Sequence, residues 1–219
     1  MGLMLVGVMV AAWLMSPIDR LVYPLLVIDD VRGKDWHQLF RQIGFIPTWW
    51  IVAIIFWRLD AAHRDRVFEV APSWPPRPAH HRAGLIVLSS LCAGAVAEAF
   101  KGIIGRSRPD SEGVVFWFER PWLVIAEKAE PGFGLPSSHA AVAFGGAAMV
   151  ALLEPRLRTL LIVLASGCAL SRLNAGAHTL SDVLAGAAIG IGIAHLLHRA
   201  GQGPRRGVAG GLVPLHPAG

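Results

Sequence analysis

The sequence predicts an all-α polytopic membrane protein, and three observations carry that expectation. Of the 219 residues, 54% are hydrophobic, and the mean hydropathy is +0.52. The apolar residues come in blocks that approach the length of a bilayer span, rather than alternating as in half-buried strands. Lys and Arg collect between the blocks, where they set topology. The length allows one domain and not two of ordinary size. The net charge of +5 does not indicate nucleic acid, because the basic residues are not interleaved with aromatics as in a nucleic-acid groove.

Six apolar segments follow in order: Gly2–Ser16, Gly44–Trp57, Gly84–Ile104, Ser137–Leu153, Leu157–Leu170 and Thr179–Leu197. Each is expected to be a transmembrane helix, and the shorter ones must borrow loop residues to reach the ~20 that a straight span needs. The first is closed by Pro17, and it opens without the Lys or Arg of a signal peptide. Trp49, Trp50, Trp57 and Trp74, with Trp117 and Trp122 further on, stand near span ends as anchoring aromatics do. Gly and Ala are frequent from the third segment onward, as expected where helices pack closely in lipid. Cys92 and Cys168 fall inside these blocks and read as small core residues. No internal repeat is present. Residues 1–200 are expected to form the six-span domain, and 201–219, rich in Gly and Pro with Arg205 and Arg206, a flexible tail.

Six spans put both termini on one side, together with Arg58–Arg82 and Glu154–Arg158. That side carries many arginines against only Asp60, Asp65, Glu69 and Glu154. The opposite side, Pro17–Ile43 and Gly105–Pro136, mixes acids and bases nearly evenly. The positive-inside rule therefore predicts cytoplasmic termini in an inner or plasma membrane.

Chemistry concentrates in Ser171–Asp182, SRLNAGAHTLSD. Arg172, His178 and Asp182 are brought to one membrane edge, where each is costly without work or a partner. His178 and Asp182 are four apart, the spacing of one helix face, and a carboxylate fixes the tautomer of an imidazole and raises its basicity. Thr179 with Asp182 also has capping-box spacing, so a purely structural carboxylate is equally open at this point. Lys101 and Arg108, two helical turns apart, close the third segment, with Glu98 as the neutralising partner should Lys101 be buried. Gly134–His139, GLPSSH, opens the fourth segment, where free amides and the helix dipole can hold a phosphate. With six spans, Lys101, Arg108, Ser137, Ser138, His139, Arg172, His178 and Asp182 all emerge on the outer side. Three cations, a helix start and two histidines suit a tetrahedral oxyanion.

These ordered motifs resemble the signature of the PAP2 superfamily of membrane lipid phosphatases, K-x6-RP, PSGH and SR-x5-H-x3-D. Here they stand as Lys101–Pro109, Pro136–His139 and Ser171–Asp182. The second departs from the pattern at Ser138, where the family usually has Gly, and a Ser there crowds the oxyanion. The resemblance implies a phosphatase without metal or other cofactor that works through a phosphohistidine. In it His178 is nucleophile, Asp182 orients it, and His139 is general acid and then base. Lys101, Arg108, Arg172, Ser137 and the amides near Ser138 bind phosphoryl oxygens. The implied substrate is a lipid phosphate or diphosphate: polyprenyl diphosphate, phosphatidate, phosphatidylglycerophosphate or a lipid A phosphate. Membrane lipids are the other expected partners; no nucleic acid and no obligatory protein partner is expected. Val114–Ile125 lies between two motifs and is expected to rest in the interface as lid, floor or anchor.

Two rival readings are distinct in class. His139, His178 and Asp182 have the composition of a 2-His-1-carboxylate metal site, though the three cations beside them oppose a metal ion. A non-catalytic lipid-binding or transport protein is the other, with Ser138 as its mark and the intact His178–Asp182 pair against it.

Overall fold

The computed structural model describes residues 2–70, 80–117 and 132–202. Seven α-helices occur among them. They are α1 (Gly2–Leu26), α2 (Asp35–Gln42), α3 (Ile46–Val70), α4 (His80–Ile104), α5 (Ser138–Leu153), α6 (Arg158–Asn174) and α7 (Leu180–Gly201). No strand occurs among the described residues, only an isolated bridge between Ser107 and Phe133. Trp74, Arg77, Trp122, most of Val114–Ile125 and the tail from residue 203 lie outside the described residues.

Every expected apolar segment is helical, but among the described residues fewer than six helices are by themselves long and apolar enough to cross a membrane. Four helices are long and apolar enough to cross a membrane, or five if α2 and α3, bent by 63°, form one broken span. The remaining helix is α5. Its 16 residues rise only ~24 Å, short of the ~30 Å hydrocarbon core. Nine of those residues are buried, which places α5 inside the bundle rather than at the lipid. It packs against α4, α6 and α7.

Small residues make that centre possible. A Cβ on Gly190 would lie 2.4 Å from the Ala141 carbonyl oxygen, and one on Gly186 would lie 2.3 Å from that of Ser137. The backbones of α5 and α7 therefore touch, as small residues allow where helices associate in lipid. Around them Val142, Ala147, Met149 and Val150 of α5 share a core with Phe56, Ile86, Leu161 and Ala165. Leu14, Leu21 and Leu25 on the peripheral α1 are exposed, the face left for acyl chains.

Two local expectations are corrected. Pro17 does not end the first segment: α1 runs through Pro17 and Pro24 to Leu26. Tertiary bonds outweigh the proline there, because Asp19 is buried against Arg106 and Ser181, and Tyr23 Oη donates to the Gly176 carbonyl at 3.1 Å. Trp49 is not an anchor at the interface. It is 3% exposed, lies on Gly146, where a Cβ would sit 2.1 Å from its ring, and donates Nε1–H to the Ile43 carbonyl at 3.0 Å. Trp50 and Trp57 do face outward.

At the end bearing α3's C-terminal half, Arg82 joins Asp60 at 3.0 Å and Glu154, and lies over the Phe56 ring. The opposite end gathers the C-termini of α1, α4 and α6 and the N-termini of α5 and α7.

Candidate active site

The start of α7 holds the centre of the site. His178, Thr179 and Asp182 are all 1% exposed or less. Asp182 Oδ2 accepts the Thr179 amide at 3.0 Å, completing a capping box, and lies 3.4 Å from His178 Nδ1. The carboxylate thus caps α7 and faces the His178 ring at once. At 3.4 Å the carboxylate faces Nδ1 without closing a hydrogen bond to it. Burial pushes the His178 imidazole below its ordinary value, against the pull of Asp182 and with help from Arg172 and Lys101. The ring is therefore neutral near pH 7, the form with a free lone pair.

The GLPSSH turn runs directly against this pair. A Cβ on Gly134 would lie 2.9 Å from Asp182 Oδ2, so only glycine lets the chain pass. The Ser137 amide donates to the Asp182 carbonyl at 2.9 Å, which removes it as an anion donor. The Ser137 hydroxyl is buried without a partner. The Ser138 hydroxyl accepts from Lys101 Nζ at 3.0 Å. His139 packs edge-on against Phe45, ring centroids 5.0 Å apart, and its Nε2 is buried with no protein partner. Its surroundings carry the charges of Arg172, Arg41 and Lys101 and the ring of His178.

The cations arrive from helix ends. Lys101, 8% exposed, is paired with Glu98 at 2.8 Å, the partner expected from their spacing. Gly105, at φ 59°, ends α4 in the left-handed conformation and turns the chain toward Arg106 and Arg108. Arg172, on the last turn of α6, is 8% exposed, and the buried Nε atoms of Arg108 and Arg172 have no partner. All eight residues singled out from the sequence therefore stand at one end of the bundle.

Sequence reasoning missed a second layer. Arg106 is fully buried and binds Asp182 Oδ1 through Nη1 at 2.7 Å and Asp19 Oδ2 through Nη2 at 2.9 Å. Ser181 bonds both Arg106 and Asp19, and the Trp117 ring lies 5.0 Å from the guanidinium carbon. Trp117 is thus a stacking partner rather than an anchor. One signal was available: Asp19 is an acid within an apolar helix, where an ionisable group needs a partner. Asp182 is thus shared between Arg106 on Oδ1 and the Thr179 amide and His178 on Oδ2. Among the described residues no three His, Cys, Asp or Glu side chains gather as metal ligands do.

A helical bundle among the described residues thus gathers Arg108 and Arg172 beside Lys101 at one end, around His139 and His178. The chain belongs to the PAP2 superfamily, whose model matches residues 82–206, and it is a membrane lipid phosphatase of that class. Its fold is similar to the crystal structure of the first transmembrane PAP2 type phosphatidylglycerolphosphate phosphatase from Bacillus subtilis. The TM-score is 0.64 at 18% sequence identity, covering 93% of this chain and 96% of that one. No curated protein matches the chain.

Proposed function

We propose that the chain hydrolyses a lipid phosphate or diphosphate through a phosphohistidine on His178. The observation that carries this reading is the buried His178–Asp182 pair, 3.4 Å apart, beside cations whose acid partners are few. Asp182 faces Nδ1, so Nε2 is the attacking nitrogen. As the N–P bond forms, the P–O bond to the lipid or its phosphate breaks, and His139 gives the departing oxygen a proton. His139 then takes a proton from water, which attacks phosphorus, breaks the N–P bond and releases inorganic phosphate. Lys101, Arg108, Arg172, the Ser137 hydroxyl and the free amides of Ser138 and His139 hold the equatorial oxygens. Polyprenyl diphosphate, phosphatidate, phosphatidylglycerophosphate and lipid A phosphates are the candidate substrates.

Purified protein in detergent is expected to release phosphate from such lipids in excess EDTA. Vanadate, which adopts the five-coordinate geometry of phosphoryl transfer, should compete with substrate. Activity lost to EDTA and restored by a divalent ion would sink the mechanism in favour of a metal hydrolase. No release from any lipid phosphate, with lipid binding intact, would favour the non-catalytic reading.

The site is placed on the outer face of the inner or plasma membrane, with cytoplasmic termini. The support is the charge of the far end, where Arg58, Arg82, Arg156 and Arg158 outnumber Asp60 and Glu154. Ser111→Cys, in a background without Cys92 and Cys168, should react with an impermeant thiol reagent in intact cells, and Ser73→Cys should not. The opposite pattern would move the site inward.

A further inference from the structure

Beside the catalytic residues lies a cavity of about 330 Å³, lined by Arg32, His37, Arg41, Arg108, Arg172 and two alanines. Its volume is at the low end of the ~300–1,000 Å³ of ligand pockets, suited to a headgroup rather than a whole lipid. One of those alanines is Ala177, the neighbour of His178, so the cavity opens beside the proposed nucleophile.

No acid lines this cavity. Among the described residues, none of the four arginines forms an ion pair. Arg32 is held by the Ala175 carbonyl at 3.0 Å, and Arg41 lies 5.2 Å from the centre of the Phe45 ring that braces His139. Arg172 feels the like charges of Arg41, Arg108 and Arg32 together. Unpartnered buried atoms point the same way. Arg172, 8% exposed, and Arg108 have Nε atoms without an acceptor. His37, 2% exposed, is held in the wall by its Nε2–H, which donates to the Ser171 carbonyl at 3.0 Å.

The charge balance distinguishes one phosphoryl group from two. Lys101, Arg108 and Arg172, less Glu98, leave two positive charges, which match a phosphate monoester of about −1.5 to −2. Arg32 and Arg41 then remain at the exposed rim of the cavity, which no acid lines to neutralise them. A guanidinium fork fits a phosphoryl group bidentately.

We propose that Arg32 and Arg41, with the cavity face of Arg108 and Arg172, form a second phosphoryl subsite, so that the preferred headgroup carries two phosphoryl groups. Those groups are joined directly, as a diphosphate, or across a glycerol bridge. The proposal rests on the phosphohistidine reading, since the first subsite is the one at His178. Both arginines lie before Arg82, outside the stretch that matches the family model.

The test compares four substrates in mixed micelles: polyprenyl monophosphate with polyprenyl diphosphate, and phosphatidate with phosphatidylglycerophosphate. Arg32→Gln and Arg41→Gln change exposed side chains and are made in the full chain. The wild type should favour the two-phosphoryl member of at least one pair, and the pair concerned identifies the linkage. In each variant the ratio of kcat/KM between the members should fall ~10-fold or more, the size of one charge-assisted bond, chiefly through KM. A ratio unchanged by both substitutions overturns the proposal, as does a wild type that prefers both monophosphates. If the wild type cleaves none of the four, or His178→Ala cleaves them as well as it does, the phosphohistidine reading itself fails, and the subsite with it.

Discussion

His178→Ala is expected to abolish turnover and any acid-labile phosphoenzyme for every substrate, because no bond from protein to phosphorus can form. The substitution empties a buried position, so folding must be checked; an unchanged thermal midpoint with vanadate protection lost would locate the defect in the chemistry. His139→Ala should behave differently. A general acid matters in proportion to the basicity of the departing oxygen, typically ~10²–10⁴-fold where it is needed. A phosphatidate-like monoester expels a strongly basic alkoxide and should lose nearly all activity. An aryl phosphate expels a stable phenolate and should retain more of the first step. The second step still needs His139 to activate water. Rapid mixing of His139→Ala with an aryl phosphate is therefore expected to give a burst of phenolate and an accumulated phosphoprotein. A burst from His178→Ala and none from His139→Ala would mean that the roles are exchanged.

What the sequence displayed and what it concealed follow from the range of the interactions. Lys101 and Glu98 are three residues apart on α4, so helical periodicity announces that pair; His178 precedes the N-cap Thr179 of α7, so its contact with Asp182 is made by the capping turn and not by one helix face. The convergence of four helix ends needed only the order of apolar blocks. Pro17 misled because a local rule was overruled from a distance: Asp19, two residues on, is bound by Arg106 and Ser181, and those bonds carry α1 past the proline. Trp49 misled for the opposite reason. An amphipathic ring near a span end usually anchors, but Gly146 leaves a recess that only a neighbouring helix reveals. Asp182 could not be apportioned between cap and catalyst from spacing, since its two oxygens serve both. Arg106 was hidden between the two motif cations, and its partners lie 76 and 87 residues away. The arginines of the cavity have no regular spacing to announce them, and only the fold sets Arg32 and Arg41 opposite Arg108 and Arg172.

Arg106→Ala is expected to produce the second large loss, and by a different route. It would leave Asp19 and Asp182 as buried carboxylates with no countercharge, and breaking a buried pair in this way typically costs ~3–5 kcal/mol. A fall in thermal midpoint alone would not separate fold from function, so Arg106→Lys and Asp19→Asn are the informative variants. A lysine keeps the charge, but one ammonium cannot reproduce the fork that now bridges Asp182 at 2.7 Å and Asp19 at 2.9 Å. Asp182 would then be held mainly by the Thr179 amide, free to turn from His178 Nδ1. The expected signature is a fall in kcat of ~10-fold or more, the effect of losing about 1.4 kcal/mol at the transition state, with KM nearly unchanged. Phosphoenzyme formation should slow, since the step that needs an oriented His178 is attack on phosphorus. Asp19→Asn, which spares the Arg106–Asp182 bond, should lose less kcat than Arg106→Lys. Combining Arg106→Lys with Asp182→Asn should cost little more than Asp182→Asn alone, because both act on one imidazole. Full additivity of the two, or a rise in KM without a fall in kcat, would show that Arg106 braces the bundle and does not set the geometry of the nucleophile.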